Sequence, residues 1–251
     1  MSARFEELAY GETPIGAVSL RRRLDPRLKV EVYEVKIDDE FLMSSLFTVA
    51  EIELARLGLA ALDGPGSDGA GSDGARSGGD GFSVVVGGLG LGYTARAVLD
   101  DPRVGSMVVV DALAEVISWH ERELLPFATA VTQDPRSRLV LGDFFAMAAG
   151  PDGFDPVAPG RRFDAVLLDV DHSPRHVLHP ANAALYTVPG MRRLAAHLRP
   201  GGVFALWSND PPDEEFGAVL AEVFPDVAAH VVRFPNPLQG GESANTVYVA
   251  R

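Results

Sequence analysis

Ser83-Val-Val-Val-Gly-Gly-Leu-Gly-Leu-Gly-Tyr-Thr94 decides the fold of this chain. A valine run suited to a buried strand passes through a glycine turn into a segment that reads as a helix. Gly88, Gly90 and Gly92 stand at alternate positions, where side chains would hold a ligand off the backbone. About twenty residues further on, Met107-Val-Val-Val110 ends on Asp111. Strand, glycine turn, helix and an acid closing the next strand make a nucleotide-ribose site, in which Asp111 can accept from both ribose hydroxyls.

The spacing separates cofactors. A dinucleotide fold prefers G-x-G-x-x-G, which sets a helix N-terminus against a pyrophosphate. Here G-x-G-x-G is followed by Tyr93-Thr94, with no third glycine inside the helix. This spacing resembles the first motif of S-adenosylmethionine-dependent transferases, whose ligand carries no phosphate. It favours an adenosyl sulfonium over NAD.

Composition narrows the field. With 251 residues, 47% of them hydrophobic, the chain can bury one sizeable core and a small appendage. No apolar run approaches the length of a membrane span, and the N-terminus lacks a signal pattern, so no membrane partner is expected and the cytoplasm is the default location. There is no cysteine, hence no disulfide, thiolate zinc site or cysteine nucleophile. A net charge of -13 repels phosphate backbones, so nucleic acid is not an expected partner, whereas a cationic substrate is tolerated.

Residues 1–62 read as a small antiparallel β unit followed by a helix. Residues 16–21 and 30–37 alternate apolar and polar positions, with turn chemistry at Leu24-Asp-Pro-Arg27 between them. Residues 48–62 carry apolar side chains at helical spacing. Residues 63–81 are a near-repeat of Gly, Ser and Asp that reads as a flexible connector. In 82–251 strands expected at 83–87, 107–111, 138–141, 163–169 and 202–208 alternate with helices near 93–100, 112–124 and 188–198. That alternation argues a parallel sheet covered on both faces. A helix near 213–223 and strands near 228–233 and 245–250 follow. The loop joining the last two strands is too short for a helical crossover, which predicts an antiparallel hairpin. The predicted fold class is α/β: a mixed, seven-stranded, Rossmann-like methyltransferase sheet preceded by a small N-terminal β unit.

In such a sheet the ligand sits outside the carboxyl ends of the strands. Besides the glycine turn and Asp111, those ends carry Asp143, suited to an adenine amino group, with Phe144 beside the ring. Asp143 can equally cap a short helix. Asp169 closes the most apolar strand and Asp171 follows two residues later, giving two candidates for catalysis or ligand binding. On the substrate side stand His172, Trp207 and Asp210. His172, His176 and His179 have a spacing that would put three imidazoles on one helical face, but Pro174 and Pro180 interrupt it. A loop above the ligand is the better reading, and no metal site is expected.

The ordered series Gly87-Gly-Leu-Gly-Leu-Gly92, Asp111 with Val116-Ile117, Leu124-Leu-Pro126, Asp134-Pro-Arg136, Gly142-Asp-Phe144, Phe163-Asp-Ala-Val-Leu-Leu-Asp169, Leu198-Arg-Pro-Gly-Gly202 and Phe234-Pro-Asn-Pro-Leu-Gln-Gly240 resembles the polyamine aminopropyltransferases, the spermidine synthase-like proteins. The resemblance implies decarboxylated S-adenosylmethionine as co-substrate, a diamine acceptor, attack by a neutral amine on the carbon beside the sulfonium, and a homodimer. It implies Asp169 as the catalytic aspartate and Asp171 as diamine ligand or proton-relay partner. The family's Asp-Ser-Ser/Thr-Asp-Pro is replaced here by Asp169-Val-Asp-His-Ser-Pro174, its aromatic-acid patch by Met43-Ser-Ser-Leu-Phe47 before Glu51, and its late Gly-x-Trp by Gly241-Glu-Ser-Ala-Asn245. These departures fall on the acceptor side. Two other readings stay open: a methyltransferase using intact S-adenosylmethionine, and a non-catalytic adenosyl-nucleoside binder.

Overall fold

The computed structural model describes residues 5–13, 16–63 and 81–251. Most of the expected connector, residues 64–80, lies outside the described residues. Its flanks are described, and both meet Arg103. The Arg103 guanidinium pairs with Asp63 at 2.5 Å, and the Arg103 carbonyl accepts from the Phe82 N–H at 2.7 Å.

Among the described residues the N-terminal unit is a four-stranded antiparallel sheet of β1 (Phe5–Thr13), β2 (Gly16–Leu24), β3 (Glu31–Ile37) and β4 (Glu40–Ser44), in that order. The alternation of 16–21 and 30–37 anticipates β2 and β3. β1 and β4 escape that pattern because both are edge strands with few buried side chains and each contains a register shift. Between β2 and β3, Asp25 Oδ1 accepts from the N–H groups of Arg27 and Leu28, both at 2.9 Å, which closes the predicted turn. α1 (Val49–Ala60) follows.

The second sheet contains β5 (Phe82–Gly87), β6 (Val104–Asp111), β7 (Ser137–Leu141), β8 (Phe163–Leu168), β9 (Leu198–Ser208), β10 (Val227–Pro235) and β11 (Glu242–Ala250). Its order is β10-β11-β9-β8-β5-β6-β7, parallel from β9 to β7, with β10 and β11 as an antiparallel hairpin whose β11 lies antiparallel to β9. This is the predicted seven-stranded mixed sheet. The helices are α2 (Tyr93–Asp100), α3 (Ala114–Glu121), α4 (Ala128–Thr132), α5 (Phe144–Ala149), α6 (Val188–Ala195) and α7 (Glu214–Ala221). None of the described helices is long and apolar enough to cross a membrane.

The central strands are buried on both faces, which explains their continuous apolar runs. Val84 and Val86 face one core, shared with Ala165 and Leu167. Val85 faces the other, with Val166 and Leu168. The first core also contains Val18, Leu20 and Val35 of the N-terminal sheet and Leu54, Ala55 and Leu59 of α1. Each fully buried Val or Leu contributes about 1.5–3 kcal/mol, so the small sheet is fastened to the large one by ordinary core packing. α1 lies against β8, β9, β10 and β11, which brings its first turn over the carboxyl edge of that half of the sheet.

Helix ends deviate from the sequence expectation where local hydrogen bonds intervene. α3 starts at Ala114 because Asp111 turns back to accept from the Leu113 N–H at 2.8 Å, and it stops before Glu123, which adopts a φ of 57°. β8 ends at Leu168, so Asp169 stands one residue beyond the strand.

Candidate functional site

A cavity of about 510 Å3 lies along the carboxyl edge of the large sheet, roofed by β3, β4 and the start of α1. Its floor is the glycine turn. Gly88, Gly90 and Gly92 have φ values of 92°, 46° and 87°, which favour glycine. A Cβ at Gly88 would collide with the Asp169 carbonyl, so the turn and the β8 end touch through backbone. A Cβ at Gly90 would come within 3.0 Å of Met43 Sδ, so β4 closes directly over the turn. From behind, His120 Nε2 donates to the Gly90 carbonyl at 3.0 Å, and burial lowers the imidazole pKa, keeping it neutral.

Over β5, β6 and β7 the lining suits a nucleoside. Asp111 accepts from the Leu89 N–H through Oδ2 at 2.9 Å and from Leu113 through Oδ1 at 2.8 Å. The Gly90 N–H is also directed at this carboxylate, which leaves one of its four lone-pair positions open for a ribose hydroxyl. Burial holds the Asp111 pKa above the usual carboxylate range against the opposing pull of those N–H groups. Asp143 caps α5 through Oδ1, which accepts from Phe145 and Ala146, while Oδ2 has no bond in the cap. The two readings of Asp143 are therefore compatible. Phe144 is buried and stacked on Phe154 at 4.8 Å, and its neighbour Phe145 also lines the cavity.

Asp169 lines the cavity just beyond β8, the fourth of the seven strands. Burial raises its pKa to about 6, partly offset by Thr94 Oγ1, which donates to Oδ2 at 2.8 Å. The same hydroxyl approaches the Glu51 backbone carbonyl at 3.3 Å. Glu51, in the first turn of α1, lines the cavity with Asp169, and its Oε2 is buried without a partner. Burial and the Asp169 charge push the Glu51 pKa up to about 8. The two carboxyl groups thus hold one proton between them at neutral pH. Glu51 has no candidate role in the motif reading. The signal is its helical register: it lies three and four residues before the buried Leu54 and Ala55, which puts an acid on the buried face.

Asp171 is not brought to the cavity. Its carboxylate accepts from the Leu178 N–H at 2.7 Å, Asn182 Nδ2 at 2.9 Å and the Tyr186 hydroxyl at 2.7 Å. At 1% exposure it anchors the 172–186 loop, and it corrects the expectation of a second acid beside Asp169. Asp171→Ala would strand an amide and a phenol, so a cost of about 3 kcal/mol is expected in urea unfolding. A loss under about 1 kcal/mol would remove the anchoring role.

His172, Trp207 and Asn209 line the cavity. Asp210 does not. It accepts from Ser173 Oγ at 2.5 Å and pairs with His176 Nδ1 at 2.8 Å, beside a separate surface cavity of about 480 Å3. The three spaced histidines go to different places: His172 to the main cavity, His176 to Asp210, and His179 to the Ala181 N–H. Among the described residues no three His, Cys, Asp or Glu side chains gather as a metal set.

The seven-stranded sheet, with its terminal antiparallel hairpin and the glycine turn at its carboxyl edge, defines a methyltransferase-like fold. No protein-family model matches the chain. It is 29% identical over 163 residues to polyamine aminopropyltransferase 2 of Pseudomonas aeruginosa, covering 61% of this chain and 42% of that protein. It is 31% identical over 120 residues to putrescine N-methyltransferase 2 of Nicotiana tabacum, covering 48% of this chain and 30% of the relative. The chain therefore spans less than half the length of either relative. Its fold is shared with a spermidine synthase solved in complex with the transition state analogue AdoDATO: TM-score 0.68, 17% identity, 97% of this chain and 73% of that one. The chain is thus similar in sequence to a polyamine aminopropyltransferase and a putrescine N-methyltransferase, and in fold to a spermidine synthase.

Proposed function

We propose that this protein transfers an aminopropyl group from decarboxylated S-adenosylmethionine to a small amine, with Asp169 as the proton acceptor. The observation that carries this reading is the position of Asp169: its carboxyl stands between a nucleoside cradle and an apolar pocket within one cavity. The cradle fits an adenosyl group because Asp111 and Asp143 keep unused acceptor positions and the glycine turn admits close approach. Bound there, the donor supplies a carbon whose bond to sulfur breaks toward sulfur as the amine lone pair forms the new C–N bond.

The protein's own residues manage the proton. An alkylammonium has a pKa of about 10, so the amine must lose a proton before it can attack. Ionised Asp169, held by Thr94, orients the ammonium and accepts that proton, while neutral Glu51 leaves a single negative charge at the reacting centre. The apolar walls strengthen the attraction between that charge and a cationic amine.

Among the described residues no Lys or Arg lines the cavity. An intact amino-acid carboxylate would find no cationic partner there, which favours the decarboxylated donor over methyl transfer from S-adenosylmethionine. Calorimetric titration with decarboxylated S-adenosylmethionine, S-adenosylmethionine and methylthioadenosine tests this. Preference for the first supports aminopropyl transfer. Preference for the second moves the reading to methyl transfer, and no binding by any of the three overturns it. Pairing of two copies through the N-terminal sheet, whose Phe5, Tyr10 and Phe41 are exposed, belongs to the same reading, and a monomer mass in sedimentation would count against it.

A further inference from the structure

The cavity changes chemistry along the sheet edge. Over β5, β6 and β7 it presents the glycine turn, Asp111 and Asp143. Over β8, β9, β11 and β10 it presents Asp169, Trp207, Asn209, Asn245 and Phe234, with Phe47 packed on Phe234 at 5.8 Å between ring centroids. Strands lie about 4.8 Å apart, so the β10 end is about 14 Å from the β8 end, room for a six-carbon chain. Among the described residues, the acids lining this half are Glu51 and Asp169. Both stand around Thr94, whose hydroxyl donates to Asp169 Oδ2 and approaches the Glu51 backbone carbonyl, and the Asp169 charge acts on the Glu51 carboxyl, so they make one seat. The nearby acids that could have made a second seat are engaged elsewhere: Asp171 by Leu178, Asn182 and Tyr186, and Asp210 by Ser173 and His176.

Among the described residues the rest of this half carries no carboxylate. Asn245 Nδ2 donates to Asn209 Oδ1 at 2.9 Å, so the two carboxamides partly satisfy each other. Trp207 lines the wall with a buried indole N–H that has no partner. An indole N–H is a donor only, and an ammonium has no lone pair to meet it. A second ammonium laid against the buried Phe234 and Asn245 would lose part of its water without gaining a counter-charge, while Asn209 beside them is exposed. Contact with the aromatic faces would return only a small part of that loss.

We propose that the acceptor is a primary monoamine: one ammonium held at the Glu51–Asp169 seat and an uncharged, largely apolar body lying along Phe47, Phe234 and Trp207. This rests on the reading of the site as an aminopropyl transferase's, and it departs from the diamine that the family resemblance implies. The single charge carried by the carboxyl pair at neutral pH agrees with it, since that charge matches one ammonium.

Protein saturated with methylthioadenosine is titrated with hexylamine and with hexamethylenediamine, equal in length and differing by one terminal ammonium. Hexylamine is expected to bind at least about tenfold more tightly. Equal or tighter binding of the diamine overturns the proposal, as does no binding of either amine. Failure of methylthioadenosine itself to bind instead strikes the underlying reading of the site. Asn245→Asp adds a carboxylate to the distal wall and is expected to raise the diamine's affinity relative to hexylamine by about tenfold. An unchanged ratio, with methylthioadenosine binding intact, would mean that the distal end is not where the proposal puts it, and the proposal fails.

Discussion

Asp169→Asn is expected to lower turnover about a thousandfold, measured as methylthioadenosine released from decarboxylated S-adenosylmethionine with an amine, while methylthioadenosine itself binds within about threefold of the parent. The substitution keeps the shape and the acceptor for the Thr94 hydroxyl, so the local fold has no reason to change. It removes the carboxylate at the end of β8, between the two halves of the cavity. With the parent protein the rate should rise through about pH 6 as that carboxyl ionises. Asn at this position should erase that limb. Full activity in the variant would remove Asp169 as the base, and lost methylthioadenosine binding would turn it into a structural residue.

The second large effect is on stability. Glu51→Gln is expected to stabilise the ligand-free protein by about 2–4 kcal/mol at pH 8 and by under about 1 kcal/mol at pH 5. The sign follows from the direction of the shift. Glu51 titrates at about 8 in the folded chain, above its ordinary 4.5, so between those values the native state holds more protons than the unfolded one. Stability is fully present below about 4.5 and is lost as pH rises toward 8. Asp169, raised from 3.8 to about 6, acts in the same direction over a lower window. Melting temperatures of parent and variant across that range test this. Parallel curves would mean that Glu51 is not buried against Asp169.

The elements most legible in the sequence are those whose environment is simplest. Val84–Val86, Met107–Val110 and Ala165–Leu168 are buried on both faces, and a continuous apolar run has few other homes. The terminal hairpin followed from loop length alone. Glycines at 88, 90 and 92 and the acid at 111 were legible because turn and strand end are fixed by local chemistry. Asp171 and Asp210 do not line the cavity because a carboxylate near a strand end can be taken by other donors, Asp210 by Ser173 and His176. Asp171 turns back because Tyr186 and Asn182, distant in sequence, come to meet it. Glu51 was invisible to motif reasoning because its partner lies on another element. Only its helical register gave it away, and that register cannot say what it faces.

Arg103 has one more consequence. Its side chain grips Asp63 and its carbonyl receives the Phe82 N–H, so both flanks of the segment between them are pinned to a single residue. The closure penalty for a loop with fixed ends grows only by about 0.6 kcal/mol for each doubling of its length. While Arg103 holds both ends, a change in the number of residues between Asp63 and Phe82 is therefore expected to cost little in closure.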